Sequence, residues 1–258
     1  MAEPDDLALA LELAGLADEI TLARFRAADL AVETKPDMTP VTEADRGVER
    51  LVRERLAAAR PEDSIVGEEE GRSGEGPRRW IIDPIDGTKN YVRGIPFWAT
   101  LLALEVAGEI EVGVVSAPAV GRRWWARRGQ GAFVDDGLTT RRLRVSGIGR
   151  LADAQLCFAG VEDWEAIGRL DDLLELGRRC WRTRGLGDVW NYMLVAEGGV
   201  EIGLDAEVKL WDLAAPMVIV EEAGGRFTDL GGAPRADGGD AIASNGLLHD
   251  AALAIIGR

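Results

Sequence analysis

Asp83 and Asp86 stand three residues apart in the segment Trp80-Ile-Ile-Asp-Pro-Ile-Asp-Gly-Thr-Lys89, at the end of an apolar run of strand type. Gly87 and Thr88 follow directly. Oxygen donors packed this tightly suit a hard cation such as Mg²⁺, which takes carboxylates and carbonyls and keeps some of its water. An Asp-Pro-x-Asp-Gly-Thr segment after a buried strand has few structural uses. It points to metal-assisted chemistry on a phosphate. Pro84 and Gly87 would then mark where the backbone turns out of the strand.

Three further places set carboxylates beside the ends of expected elements: Asp45, Glu68 with Glu69, and Asp212. Each also has a structural reading. Asp45 can face the positive end of its helix dipole. Glu68 to Glu70 can form a solvated turn, and Asp212 can cap a helix. The residues alone leave both readings open.

The elements that must carry these groups follow from periodicity. Apolar residues at Leu7, Leu11, Ala14, Ala17, Ile20 and Leu22 predict a helix over residues 5–28. Residues 34–40, with two prolines, read as a loop. Thr42 is the expected N-cap of a second helix running to about Ala59. A short strand over 64–67 ends in the three glutamates, 72–78 is a polar loop, and the strand Ile81-Ile82 ends at Asp83. Strands are expected over 99–106 and 111–116, joined at Gly108, then over 122–126, 131–134 and 141–146.

Past that point strands alternate with helices. Strands are expected over 155–159, 182–184, 200–204, 227–228 and 241–243. Helices are expected over 163–180, 188–197, 212–223 and 249–256, with Gly224-Gly225 ending the third of these. The pattern is α/β, a layered architecture with a soft boundary near residues 147–150. Its halves would be 1–148, carrying most of the acids, and 149–258, carrying Asp212, packed as one compact unit.

Composition narrows the function classes. The chain has 258 residues, 47% of them hydrophobic, enough for a sizeable core. A formal net charge of −15 argues against a nucleic-acid partner. It fits a solvated acidic surface, part of which can mark a cation-binding cleft. His249 is the single histidine, so a histidine-based triad or metal site is nearly excluded. Cys157 and Cys180 have no metal-type spacing and suit a reducing cytoplasm. The acidic segment Met1–Leu13 has no basic region before an apolar stretch, and no run approaches the length of a membrane span.

Gly67-Glu-Glu69, Trp80 to Thr88, and Trp211-Asp212 leading to Glu222-Ala-Gly-Gly225 resemble the inositol monophosphatase family of Mg²⁺-dependent phosphatases, in family order and spacing over nearly the whole chain. The resemblance implies an α-β-α-β-α layered sandwich, usually a homodimer. It implies that Glu68 and Asp83 with the Ile85 carbonyl hold one Mg²⁺, and that Asp83, Asp86 and Asp212 hold a second. Glu68 would also reach a third, weaker ion, with Mn²⁺ or Zn²⁺ as substitutes. Asp45 and Thr88 would orient the attacking water, and the Gly87 and Thr88 N–H groups would receive the phosphate. Lys35 matches a lysine of the family's N-terminal loop. The implied substrate is a small phosphate monoester, hydrolysed by direct attack of a metal-activated water.

Selectivity should lie in the second half. Asp188, in Gly185-Leu-Gly-Asp188, and Asp205, in Gly203-Leu-Asp205, occupy the places that line the family's leaving-group pocket, with Arg184 and Asp86 as further substrate contacts. Their structural readings are a helix N-cap and a turn. Two acids there suit a cationic alcohol. Thr34 to Asp45, Val92 to Trp98, Arg122 to Ala126 and Ser244 to Asp250 resemble the histidinol-phosphatase branch of the family, which implies hydrolysis of L-histidinol phosphate. An inositol-1-phosphatase, a broad sugar-phosphate phosphatase and a non-catalytic phosphate-sensing regulator are the alternatives.

Overall fold

The computed structural model describes residues 5–36 and 38–257. The reading of residues 1–4 as the start of an acidic N-terminus, and Asp37 of the Thr34–Asp45 segment, lie outside them. Helix α1 (Asp6–Arg24) precedes a small hairpin, β1 (Val32–Thr34) and β2 (Pro40–Thr42), and helix α2 (Glu43–Ala59). Strands β3 (Ser64–Gly67), β4 (Gly71–Ser73) and β5 (Arg78–Asp86) lead to the short helix α3 (Thr88–Val92). Then β6 (Ala99–Val106), β7 (Glu109–Ala117), β8 (Arg122–Arg127), β9 (Gly131–Asp135) and β10 (Thr140–Arg142) run as an antiparallel meander. The rest is β11 (Gln155–Phe158), α4 (Val161–Ala166), α5 (Leu170–Arg179), β12 (Arg182–Gly185), α6 (Trp190–Ala196), β13 (Ile202–Asp205), α7 (Leu210–Glu222), β14 (Arg226–Thr228), β15 (Ala241–Ser244) and α8 (His249–Ile256).

The strands form an eight-stranded sheet, ordered β10-β9-β8-β7-β6-β5-β3-β4, and a five-stranded mixed sheet, ordered β12-β11-β13-β15-β14. Alternation along the central strands assigns their two faces. Trp80, Ile82, Leu102 and Leu104 pack with α1 and α2 through Leu13, Val48 and Val52. Ile81, Leu101 and Ala103 pack the other way, with Met193, Val218 and Ile219 of α6 and α7 and with Phe227 and Ala243 of the second sheet. Beyond that sheet, Trp164, Leu176 and Ala252 of α4, α5 and α8 cover Leu156, Ile202 and Leu204. The order of layers is α-β-α-β-α, as expected. The helix that carries Asp212 is sandwiched between the sheets, so α7 is apolar nearly all round.

Several boundaries differ from the sequence reading, each for a local reason. Residues 72–78 were expected as loop, but Gly71–Ser73 pairs antiparallel with β3. The prolines near Pro40 suggested a loop where β1 and β2 pair as a hairpin. The single helix expected over 163–180 is split at Gly168, whose φ of 72° ends α4. The strand expected over 141–146 stops at Arg142. Helix α1 stops at Arg24, and its buried face is Leu9, Ala10, Leu13, Ala14, Ala17 and Thr21, while Leu22 is 48% exposed. A helix with leucine or alanine on every side leaves the choice of face to tertiary packing.

The decisive departure is in β5. The strand does not end at Asp83 but continues to Asp86, and its register against β6 shifts between Asp83↔Leu101 and Asp86↔Ala99. One extra residue on β5 makes a bulge. Pro84, which has no N–H for the ladder, sits inside it, and its carbonyl accepts the Thr100 hydroxyl at 2.7 Å. Side chains three apart on a regular strand face opposite ways. The bulge turns Asp86 to the side of Asp83.

Candidate active site

Asp83, Asp86 and Asp212 come together at the end of β5 and the first turn of α7, each offering a carboxylate oxygen within 4.8 Å of the others. Asp83 is 1% exposed and Asp86 7%. Asp212 accepts the Lys209 N–H at 2.7 Å, so it is the third residue of its helix and not the N-cap. Asp86 accepts the Val189 N–H at 2.8 Å. The buried Asp83 Oδ1 has no hydrogen-bond partner.

Burial and neighbouring carboxylates raise all three acids. Burial, then the charges of Glu68, Asp86 and Asp212, pushes Asp83 well above the carboxylate range. Burial, then Asp188 and Asp212, does the same to Asp86, and burial chiefly lifts Asp212 to about 6. An all-oxygen donor set with an orphaned buried carboxylate oxygen fits a hard divalent cation, which would reverse these shifts.

Asp45 is fully buried near the start of α2. Its Oδ2 accepts both the Thr42 N–H at 2.8 Å and the Thr42 hydroxyl at 2.5 Å, while the Thr42 hydroxyl accepts from the N–H of Ala44 and Asp45. This capping box realises the expected Thr42 cap. Oδ1 is turned to the Thr88 hydroxyl at 3.5 Å, a long contact, and that hydroxyl donates to the Ile85 carbonyl at 2.9 Å. Burial, set against the Thr42 hydrogen bonds, raises Asp45 to about 6. Gly87 caps α3 with a φ of 81°, so the chain turns from strand to helix within one residue.

Glu68 and Glu69 are not a solvated turn. Lys35 Nζ bridges them, 2.6 Å from an oxygen of each. Burial pushes Glu69 up to about 7 against the pull of Lys35. Burial pulls Lys35 down, but its two carboxylate partners outweigh that and raise it.

A cleft of about 540 Å³ joins these groups. Its walls include Glu68, Asp83, Ile85, Asp86, Gly87, Thr88, Asp188, Asp205 and Asp212. Asp188 is not an N-cap; it lies two residues before α6 with a φ of 51°, and its Oδ2 accepts the Asn90 amide at 3.0 Å. Asp205 is not a surface turn; it is 2% exposed at the end of β13, with Asn191 Nδ2 3.3 Å from Oδ1. Burial is the main cause that lifts Asp188 to about 6 and Asp205 to about 8. Arg184 is exposed on β12, donates to the Thr183 carbonyl, and is not part of the cleft wall.

His249 is structural. Buried between the Ser244 and Thr228 hydroxyls at 2.8 and 2.9 Å, it is pushed down to about 4, chiefly by burial.

Sequence reasoning passed over several neighbours of the site. Tyr192, Asp163, Glu207, Lys89 and Lys209 also line the cleft. Asn90 holds Asp188. Glu49, fully buried on α2, accepts the N–H groups of Glu69 and Glu70 at 2.8 and 3.0 Å and the Arg53 guanidinium. Its signal was present: an acid between Val48 and Val52 on the apolar face of a helix.

Known proteins are similar to this chain in sequence and in shape. The model of the inositol monophosphatase family matches residues 5–256. The chain is 56% identical to the histidinol-phosphatase of Streptomyces coelicolor, over 98% of this chain and 97% of that one. An IMPase of Thermotoga maritima superposes with a TM-score of 0.87 at 33% identity, covering 98% of this chain and 97% of its own. An IMPase/NADP phosphatase solved with Mg²⁺ and phosphate gives 0.82 at 25% identity, over 96% and 93% of the two chains. With a full-length sequence match, the same fold and an intact acidic cleft, this chain belongs to the inositol monophosphatase family.

Proposed function

We propose that this protein is a Mg²⁺-dependent phosphatase that hydrolyses L-histidinol phosphate to L-histidinol and phosphate. The observation that carries the reading is the convergence of Asp83, Asp86 and Asp212 in one cleft with two further acids, the half-buried Asp188 and the buried Asp205. The 56% likeness to a histidinol-phosphatase over nearly the full length supports the choice of substrate.

Asp83, Asp86 and Asp212 would hold one Mg²⁺, and Glu68, Asp83 and the Ile85 carbonyl another, with Glu68 reaching a weaker third; Mn²⁺ or Zn²⁺ would substitute. Bound there, such cations neutralise the phosphate dianion, acidify water and stabilise the leaving alkoxide. The chain's own groups do the rest. The N–H groups of Gly87 and Thr88, at the start of α3, receive phosphate oxygens. The Thr88 hydroxyl orients the attacking water; when its hydrogen turns from the Ile85 carbonyl to Asp45 Oδ1, Thr88 takes the water's proton as it passes its own to Asp45. The water oxygen bonds to phosphorus as the P–O bond to the ester breaks, and the leaving alkoxide takes up a proton from a second water of the open cleft, with no phosphoenzyme between. Asp188 and Asp205 between them meet the ammonium and imidazole of the leaving alcohol.

The enzyme is cytoplasmic and homodimeric on this reading. The unpaired Cys157 and Cys180 suit a reducing compartment, and among the described residues no helix is long and apolar enough to cross a membrane. A turnover panel with Mg²⁺ tests the assignment, using histidinol phosphate, inositol-1-phosphate, fructose-1,6-bisphosphate and 3′-phosphoadenosine-5′-phosphate. Histidinol phosphate should have the highest kcat/KM. A preference for inositol-1-phosphate would overturn the substrate, and no phosphate release from any of them would leave a phosphate-sensing protein instead.

A further inference from the structure

The cleft wall holds one more buried polar group, a phenol beside the acids. Tyr192, on α6, lines the cleft yet is 1% exposed. Its ring is fixed against Phe227, with centroids 5.3 Å apart. Its hydroxyl oxygen is buried and makes no hydrogen bond. A buried hydroxyl without a partner costs free energy, and such groups are rare enough in folded proteins to need a reason.

The Asp205 carboxylate is the neighbour of that hydroxyl. The two are close enough for the phenol to pull the carboxyl down and for the carboxylate to raise the phenol. Their geometry nonetheless falls short of a completed hydrogen bond. Asn191 Nδ2 braces the carboxylate from behind, 3.3 and 3.4 Å from its two oxygens. Both groups sense the charge of Asp212 and line the same cleft as the acidic triad. Asp163, Glu207 and Lys209 belong to other parts of the wall, on α4 and in the segment before α7.

We propose that Tyr192 is a specificity-determining residue, whose hydroxyl and the Asp205 carboxylate together accept the N–H donors of the leaving alcohol's ammonium group. The proposal rests on the reading of the substrate as an amino alcohol phosphate. In L-histidinol phosphate the ammonium is on the carbon next to the ester-bearing one, so it must lie in the cleft that holds the Gly87 and Thr88 N–H groups, whose wall this pair also lines. An ammonium brings three donors and a full charge, and in a buried place each donor needs an acceptor. With its hydrogen turned toward Asp205, Tyr192 keeps its oxygen lone pairs for the ligand. Substrate then supplies the hydrogen bond that the chain itself does not make.

The test is Tyr192→Phe, which removes one oxygen. The melting temperature without ligand should be unchanged or slightly higher, because the hydroxyl has no partner to lose. The ratio of kcat/KM for histidinol phosphate to that for p-nitrophenyl phosphate should fall about 10–150-fold, the range for a lost hydrogen bond to a charged group, mainly through KM. Calorimetric affinity for L-histidinol should fall by a similar factor. In a double-mutant cycle, Asp205→Asn should cost less in the Tyr192→Phe background than in the wild type.

An unchanged ratio in a wild type that prefers histidinol phosphate would overturn the role of Tyr192 and leave the substrate standing. Equal losses on both substrates with a lower melting temperature would make the hydroxyl structural and also overturn it. A wild type that neither binds L-histidinol nor hydrolyses its phosphate would remove the substrate assignment and this proposal together.

Discussion

The backbone N–H of Glu69 donates to Glu49 Oε2 at 2.8 Å, tying the Glu68–Glu69 turn to a fully buried carboxylate on α2. Arg53 holds that carboxylate from the other side, with Nε at 2.9 Å and an Nη at 2.7 Å from Oε1. Gly67 must be glycine here, since a Cβ on it would run into the Glu49 carboxylate. Glu49 therefore sets where Glu68 can stand without touching the cleft itself.

Glu49→Ala should take the acceptor from two part-buried N–H groups and one partner from Arg53, which keeps Glu70 and Ser73, costing about 1–3 kcal/mol of stability, the range for polar groups left without a partner. Glu49→Gln keeps the shape and one of the two acceptor oxygens and should recover part of that loss. Calorimetric Mg²⁺ affinity should fall in both and more in the alanine variant. Unaltered Mg²⁺ affinity in Glu49→Ala would mean that the turn positions itself.

Mg²⁺ binding to the folded state should raise the melting temperature, because Asp83, Asp86 and Asp212 repel one another without a cation. Asp83→Asn should melt higher than the wild type in chelator, having lost a buried orphan charge. It should lose most of the Mg²⁺-induced shift and nearly all activity. A wild type indifferent to millimolar Mg²⁺, Mn²⁺ and Zn²⁺ would contradict the metal site.

Thr88→Ala should lower kcat about 10²–10⁴-fold with little change in KM, if nucleophile orientation and proton transfer are what it supplies. Steady-state kinetics with p-nitrophenyl phosphate would measure this. A near-normal kcat would take Thr88 out of the mechanism, and a phosphoenzyme trapped by acid quench would exclude direct water attack.

Asp188→Asn and Asp205→Asn should each lower the ratio of histidinol phosphate to p-nitrophenyl phosphate turnover about 10–150-fold, through the lost charge-assisted hydrogen bond. Asparagine tolerates the positive φ at position 188, so the backbone is preserved. Parallel losses on both substrates would argue for a structural role.

His249 has a pKa of about 4 in the fold against 6.5 unfolded. The unfolded chain therefore binds the extra proton first as pH falls. The stability His249 contributes is complete above about pH 6.5 and is lost between there and about pH 4. Denaturant titrations of wild type and His249→Asn, both saturated with Mg²⁺, should differ by an amount that shrinks across that window. A constant difference from pH 7 to 4.5 would mean that the imidazole titrates normally in the fold.

What the chain determined by itself lies within a few residues of each group. The Thr42 hydroxyl and the Asp45 carboxylate meet because a helix start brings its cap and third residue together. The Asp-Pro-x-Asp-Gly-Thr segment reads as oxygen ligands followed by a helix, and Gly87 does turn the chain there. Local periodicity likewise yields the layered α/β class, because each face of a strand or helix must find a cover.

Tertiary structure decided what those groups do together. A regular strand would send Asp83 and Asp86 to opposite faces, and only the bulge against Leu101 and Ala99 of β6 aims both at Asp212. Spacing could not reveal that Asp86 would accept the N–H of Val189, 103 residues on, or that Asn90 would hold Asp188, 98 residues on. Asp188 and Asp205 each had an ordinary local reading, as a cap and as a turn. Burial beside three other carboxylates made them something else, because the cost of a buried charge depends on everything around it and on nothing in its own few residues.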